Sequence, residues 1–451
     1  MIRNKPCAEL QREFPHVLNR ATVLAVIVLI CGIAGDSAAV AAELAAETGN
    51  WPQWRGPNRD GISTDTGLLQ DWSEQEPVLV WQSEGFGSGY ASVSVVGDRI
   101  YTTGNFAEGQ CVVAAKLSDG RVEWKKPITE KSPEHGYKGS RCTPTFNAGR
   151  LYAVASGGSI ACLDAASGTV KWEQAFRPEW GGRMMSSWGF SESPLVDGDR
   201  VLCTPGGAEA MVVALDKLTG EEIWRSAVPD GGPSGKDGAG YSSIVISKGG
   251  GVKQYVQLIG RGLIGVRASD GKLLWRYDRV ANGTANIPTP IVSGDYVFSS
   301  TGYRTGSALV KLIRDGDGVR AEEQYFLEAR TLQNHHGGLL LIGDYIYCGH
   351  GHGEGFPICV NLYSGEVVWG GKLRGVGNGS AAIAYADGHL VFRYQSGEIA
   401  LIEATPEEYR LKGALKPAYQ ERYSFAHPVI TGGRLYLREQ NVMMCYDMRA
   451  R

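Results

Sequence analysis

The sequence predicts an all-β fold, an eight-bladed β-propeller of four-stranded antiparallel blades closed by pairing of its N- and C-terminal strands. Three observations lead there: a repeat of about 47 residues, four short β runs within each repeat, and a final repeat that is one strand short while a matching strand is left over near the N-terminus. Glycine adds weight. At 62 of 451 residues it is about twice ordinary usage, without a Gly-X-Y period, which implies many tight turns and therefore many short strands.

The unit is clearest at residues 143–172, TPTFNAGRLYAVASGGSIACLDAASGTVKW. PTF meets the turn NAGR, LYAVA the loop SGGS, IACLD the turn AASG, and TVKW ends on Trp. Each run is short, rich in β-branched and aromatic residues, and bounded by Gly, Asn, Asp or Ser, which describes a four-stranded meander. A turn glycine followed four residues later by Trp recurs at Gly120/Trp124, Gly168/Trp172, Gly220/Trp224, Gly271/Trp275 and Gly365/Trp369. The last interval is close to two repeats, so one unit is degenerate; DGDGVRAEE supplies it, with Gly318 in register and Glu322 in place of Trp. The opening strand pair recurs eight times, from ASVSVVGDRIYTTG to HPVITGGRLYLR, if the looser SSIVISKGGGVKQYVQLIG is included. One meander cannot bury both its faces alone, whereas eight around an axis can.

The last unit stops at VMMCYDM, and PVLVWQS is available to complete it, with Trp81 in the repeat position. A solenoid would need capping repeats and no complementary end strands. The expected domains are therefore a signal peptide (1–42), an N-terminal extension (43–77) and the propeller (78–451). The repeat Trp residues are expected to pack between neighbouring blades.

The N-terminus reads as an export signal. Arg3, Lys5, Arg12 and Arg20 precede an apolar run over 21–33 and a small-residue stretch ending Ala39-Val40-Ala41. No other stretch reaches membrane-spanning length, so an exported, periplasmic protein with no transmembrane segment after cleavage is expected. Ile30 before Cys31 is too bulky for a lipid-attachment signal. The seven remaining cysteines include Cys162, Cys359 and Cys445 at one repeat position and Cys203 and Cys348 at another. Equivalent positions in separate blades do not meet, which favours buried thiols over disulfides. A net charge of −3 argues against a nucleic-acid partner.

The segments LDAASGTVKW, ALDKLTGEEIW and NLYSGEVVW resemble the pyrroloquinoline quinone (PQQ) repeat family over residues 78–451. The segment WPQWRGPNRDGIS at 51–63 resembles the opening of a group of exported PQQ-repeat-like proteins. The family resemblance implies a propeller and one of two role classes. One is the quinoprotein dehydrogenases, which oxidise alcohols or sugars with PQQ and calcium. The other is the lipid-anchored, non-catalytic scaffold of the outer-membrane barrel-assembly machinery. The chain lacks the adjacent-cysteine pair, the C-x-x-C-H haem site and the long insertions of the dehydrogenases, and it lacks the lipid-attachment cysteine of the scaffold. A ligand- or partner-binding module of the cell envelope is the expected role. The alternatives are a quinoprotein-type oxidoreductase, with PQQ and a divalent cation on the axis, and an assembly scaffold binding an envelope protein.

Loop lengths indicate where function sits. With strands A to D in each blade, the A–B turns are short and uniform, whereas the D–A and B–C connections on the other face are longer and variable. Six of the seven histidines past the signal fall in those connections. His335 and His336 in TLQNHHGG, and His350 and His352 in GHGHGEG beside Glu354, belong to one unit. Imidazoles with a nearby carboxylate can hold a divalent ion; a metal-free ligand pocket and a solvated loop are the alternatives. His135, Arg141, Trp188, Tyr241, Asn286, Arg304, Arg393 and His427 feed the same mouth and complete the candidate site. In a quinoprotein, Arg304 and Arg393 would face the cofactor's carboxylates. No nucleophile motif, calcium loop or phosphate loop is complete.

Overall fold

The computed structural model describes residues 49–229 and 232–450, so the expected signal peptide lies outside the described residues. Eight separate four-stranded antiparallel sheets follow one another along the chain. Blades 1 to 7 span 94–127, 145–175, 195–226, 245–277, 291–328, 339–370 and 381–415, and blade 8 takes its first three strands from 429–447. Its fourth strand is Val78–Glu84, paired antiparallel with Val442–Asp447 from Val78↔Asp447 to Glu84↔Val442. The ring thus closes between the two ends of the folded chain. Among the described residues the helical elements are Phe176–Trp180 and a single turn at Gly249–Gly251, and no helix is long and apolar enough to cross a membrane.

Burial follows position in the blade. Strand B of blade 2, Arg150–Ala155, is buried from Leu151 onward, while strand D, Val170–Ala175, alternates and buries Trp172. Middle strands sandwiched between two sheets have no wet face, which explains their near-continuous apolar runs; the outer strand has one. Core clusters accordingly bridge blades, as where Tyr101, Leu151, Trp172 and Leu215 of blades 1 to 3 share one.

Four of the repeat Trp residues cover the C–D turn glycine of the next blade. A Cβ on Gly120, Gly168, Gly220 or Gly271 would lie 2.5–2.7 Å from the ring of Trp81, Trp124, Trp172 or Trp224 respectively. The indoles of Trp81, Trp172 and Trp369 also donate to Leu117, Lys217 and Thr405 carbonyls one blade on. Blade 5 corrects the sequence register. Its outer hairpin, Gly306–Asp315 with Gly318–Glu328, is longer than the others, and Tyr325, not Glu322, faces Leu309 as Trp275 faces Gly265. The Tyr325 hydroxyl bonds the Leu362 carbonyl of blade 6, and its ring covers Gly365.

Gly220 and Gly198 both have left-handed φ, +77° and +64°, but nothing lies within 4 Å of a Cβ at Gly198. Gly198→Ala is expected to cost about 1 kcal/mol for the backbone alone. Gly220→Ala is expected to cost a further 1–3 kcal/mol or so for displacing Trp172. Equal urea midpoints for the two variants would refute the inter-blade role of the indole. All seven cysteines of the described residues are buried free thiols.

Candidate functional site

Residues 51–65 cross the axis of the ring and plug it. Trp51 pairs with Val95 of blade 1, and the Pro52 carbonyl accepts the Phe146 amide of blade 2 (2.8 Å). Arg59 donates to the Ser193 and Pro194 carbonyls of blade 3 (2.7 and 3.1 Å). The Trp54 indole donates to the Thr289 hydroxyl at the entry to blade 5 (3.3 Å), and Arg55 to the Leu339 carbonyl of blade 6. Gly61–Ser63 pairs with Tyr385 of blade 7, and Asp65 accepts the Gly433 amide of blade 8 (2.8 Å). Leu68, Leu69 and Trp72 then wedge between blades 7 and 8 on the way to the closing strand. Innermost strands present unpaired edges to the axis, and the plug satisfies part of them, at Val95, Phe146 and Tyr385.

The plug separates two cavities. Above it, on the face of the D–A and B–C loops, lies a space of about 450 Å³ floored by Trp54 and Arg55. Below it lies one of about 580 Å³ against the innermost strands, and Arg55 reaches both. The upper cavity has the character of a ligand site: concave, largely aromatic, with a few converging polar groups. Its walls are Tyr90, Tyr137, Trp188, Tyr241, Tyr303 and Phe425, the imidazoles of His335, His336, His352 and His427, and the guanidinium of Arg141. Among the described residues no Asp or Glu lines it.

The rings are packed against one another. His335 lies 4.4 Å from His336 and 4.1 Å from His352, centre to centre, and Tyr303 lies 4.3 Å from His352. The His336 ring meets Phe425 edge-on at 4.6 Å, and Trp54 meets His427 at 4.5 Å. His335 is fixed from both sides, by the Ser380 hydroxyl (2.9 Å) and the Tyr303 hydroxyl (3.2 Å). His427 Nε2–H donates to the His336 carbonyl (3.3 Å). Burial pushes the imidazole pKa values down to about 2 for His335 and about 3 for His336 and His427, with neighbouring imidazoles adding to the effect at the first two and the Arg55 guanidinium at His427, so all three are neutral at physiological pH. His336 Nε2 and His427 Nδ1 are buried without a hydrogen-bond partner. Arg55, Tyr137 and Tyr303 hold left-handed backbone, φ 60°, 58° and 56°. Such strain costs on the order of 1–3 kcal/mol per residue and concentrates at ligand sites.

Of the residues expected from sequence, Arg141, Trp188, Tyr241, His335, His336, His352 and His427 meet in this cavity. The others lie elsewhere. His135 borders a separate space beside the Ser156 carbonyl. Asn286 is fully buried and braces a loop by donating to the Ile259 and Gly260 carbonyls. Arg393, expected to face a ligand, is sealed between blades 7 and 8 in an ion pair with Glu439 at 2.7 Å. Arg304 is exposed and outside the cavity lining. His350 accepts the Gln333 amide (3.3 Å), and the exposed Glu354 carboxylate folds over Gly351. Of the five expected metal ligands, His350 and Glu354 thus stand apart from His335, His336 and His352, and among the described residues no group of three or more His, Cys, Asp or Glu is placed to hold a metal ion. Trp54, Arg55, Tyr90, Tyr137, Tyr303 and Phe425 were not expected. The first two belong to a segment outside every repeat, and nothing in the repeat register says that it returns to the axis.

A family model described as outer membrane protein assembly factor BamB, built on PQQ repeats, matches residues 65–187 and 139–371. BamB of Alteromonas naphthalenivorans is 30% identical over 116 residues, 24% of this chain; the match spans only 27% of that relative's length. Among solved structures, BamB from Moraxella catarrhalis superposes with a TM-score of 0.58 at 14% identity, over 83% of this chain and 98% of that one. Quinohemoprotein alcohol dehydrogenase from Comamonas testosteroni superposes with a TM-score of 0.63 at 13% identity, over 90% and 82%. Likeness at such identities concerns the fold alone. With the eight blades, the closing strand and a family match over more than half the sequence, the chain belongs to the PQQ-repeat β-propeller family whose model is described as outer membrane protein assembly factor BamB.

Proposed function

We propose that the protein is an exported binding module of the cell envelope whose plugged axial cavity takes a small ligand built on a flat aromatic ring. The observation that carries this reading is the wall of aromatic and imidazole rings around about 450 Å³, closed below by the chain's own N-terminal segment. Rings of this kind offer offset-stacked and edge-on contacts worth about 0.5–1.5 kcal/mol each beyond area burial.

A PQQ–calcium pair does not fit the residues present. A hard cation takes six to eight oxygen ligands, mostly carboxylates and carbonyls, and the cavity lining has no carboxylate among the described residues.

The reading is tested with 2-naphthamide, a neutral flat probe, followed by quenching of Trp54 and Trp188 fluorescence. Binding is expected, and Trp188→Ala or Tyr303→Ala should each weaken it about 3- to 10-fold. No binding would remove the ligand-module reading, and dye reduction by alcohols on adding PQQ and calcium would replace it with the oxidoreductase. A second reading, a scaffold for envelope proteins, draws on the family match and on Val78, Leu79 and Val80, which are 46%, 39% and 45% exposed on the outermost strand of blade 8. Apolar side chains on a free strand edge are a common docking device.

A further inference from the structure

We infer that the ligand of the axial cavity carries an acidic group, and that Arg55 of the plug holds it beside Gly338. This rests on the cavity being a ligand pocket at all.

The charge of Arg55 lacks a direct counter-ion. The side chain is buried, 5% exposed. Its Nη2 donates to the Asp60 carbonyl (2.7 Å) and the Leu339 carbonyl, both neutral acceptors. Among the described residues no carboxylate lies within ion-pair distance of it; the nearby Asp60 carboxylate instead accepts the Ile62 amide (3.0 Å). A buried charge whose hydrogen bonds all go to carbonyls is costly even with the Asp60 carboxylate acting on it from beyond ion-pair distance, and a ligand anion would relieve that cost. Arg141, the second cation of the lining, likewise spends its guanidinium on the Gly136, Tyr137 and Gly139 carbonyls. With Arg55 and Arg141 in the lining and no Asp or Glu among its described residues, the wall is complementary to negative charge.

Gly338 is what lets the guanidinium lie against the cavity wall. A Cβ on this residue would lie 2.9 Å from Arg55 Nη1 and 3.1 Å from His427 Cε1, and Gly338 lines the cavity with both. The left-handed φ of +79° and a bond from its amide to Asn334 Oδ1 (3.2 Å) fix the backbone here, and any side chain would push Arg55 Nη1 from its place. A carboxylate on the cavity side of Arg55, beside Gly338, can accept from Nη1, while its aromatic body extends upward past Trp54 and Phe425. Because Arg55 ties the plug to blade 6, an anchored acid also clamps the plug.

The test compares 2-naphthoate with 2-naphthamide on the full chain, by fluorescence titration and by amide hydrogen exchange. Naphthoate is expected to bind at least 10-fold more tightly than the amide, and to slow exchange over residues 51–63. Arg55→Gln and Gly338→Ala are each expected to reduce naphthoate to the affinity of the amide. The acid–amide comparison on the unaltered protein needs neither variant to fold. Equal affinities for the two probes would overturn the anchor and leave the aromatic pocket standing. If neither probe binds, both ideas fall. Tight naphthoate binding that survives Arg55→Gln would place the acid elsewhere and overturn the assignment.

Discussion

Arg438→Met is expected to lower the free energy of unfolding by about 3–5 kcal/mol, the range found when one member of a buried, hydrogen-bonded charged network is removed. Arg438 sits on the third strand of the closing blade, as counted from the outer edge, and is 2% exposed. Its guanidinium reaches across to blade 1. It donates to the Phe86 and Gly87 carbonyls (3.0 Å each), the Thr102 hydroxyl (2.7 Å) and the Thr103 carbonyl, and within its own blade to the Gln440 carbonyl (3.0 Å). One side chain therefore satisfies backbone acceptors on both sides of the junction where the ring closes. Methionine has the bulk but no donors, so several buried carbonyls would be left without partners. Arg320→Met, which breaks an exposed pair with Glu322, should cost less than about 1 kcal/mol. Urea unfolding of both variants checks the contrast. An Arg438→Met protein within 1 kcal/mol of the parent, by about the same scale, would show that strand pairing alone closes the ring.

The second large effect is acid sensitivity. Below about pH 6.5 the unfolded chain takes up a proton on His335, His336 and His427, while the folded chain keeps them neutral because their folded values lie at about 2, 3 and 3. Stability is therefore fully present above the unfolded value and is lost as pH falls, by up to about 1.4 kcal/mol per pH unit for each imidazole. Glu192 acts in the opposite sense. Burial raises its carboxyl to about 8, against hydrogen bonds from Thr204 and the field of Arg59, so its contribution is lost as pH rises through that value. Together these groups put the stability maximum near pH 6.5, with a steep fall on the acid side and a shallow one toward pH 8. Urea midpoints measured between pH 4.5 and 8.5 check this. Because Glu192 offsets one of the three imidazoles over this range, His336→Gln should flatten the acid limb by about half. A profile flat from pH 4.5 to 6.5 would mean that the imidazoles are hydrated and charged in the folded protein.

Much of the fold was legible because a propeller writes itself repeatedly. The turn glycine and the Trp four residues on mark the same hairpin in several blades, and the stranded PVLVWQS declares the closure. Where the repeat decays, the reading slipped: the lengthened hairpin of blade 5 moved the aromatic position from Glu322 to Tyr325, and only strand register reveals that. The site was half legible. Topology assigns a loop to a face of the disc, which suffices to gather Arg141, Trp188, Tyr241 and four histidines. It does not say how far a side chain turns inward, so Arg393, with the same loop address, ended in an inter-blade ion pair.

The sequence by itself determined the number of blades, the way the ring is latched and the face that carries the variable loops, because each depends on local periodicity and on strand count. The tertiary structure alone decided what fills the axis. Residues 51–65 contain no repeat, and their place is set by contacts with seven blades far away in the chain. Those long-range contacts put Trp54 and Arg55 beneath the histidines, turning an open channel into a closed, cationic, aromatic pocket.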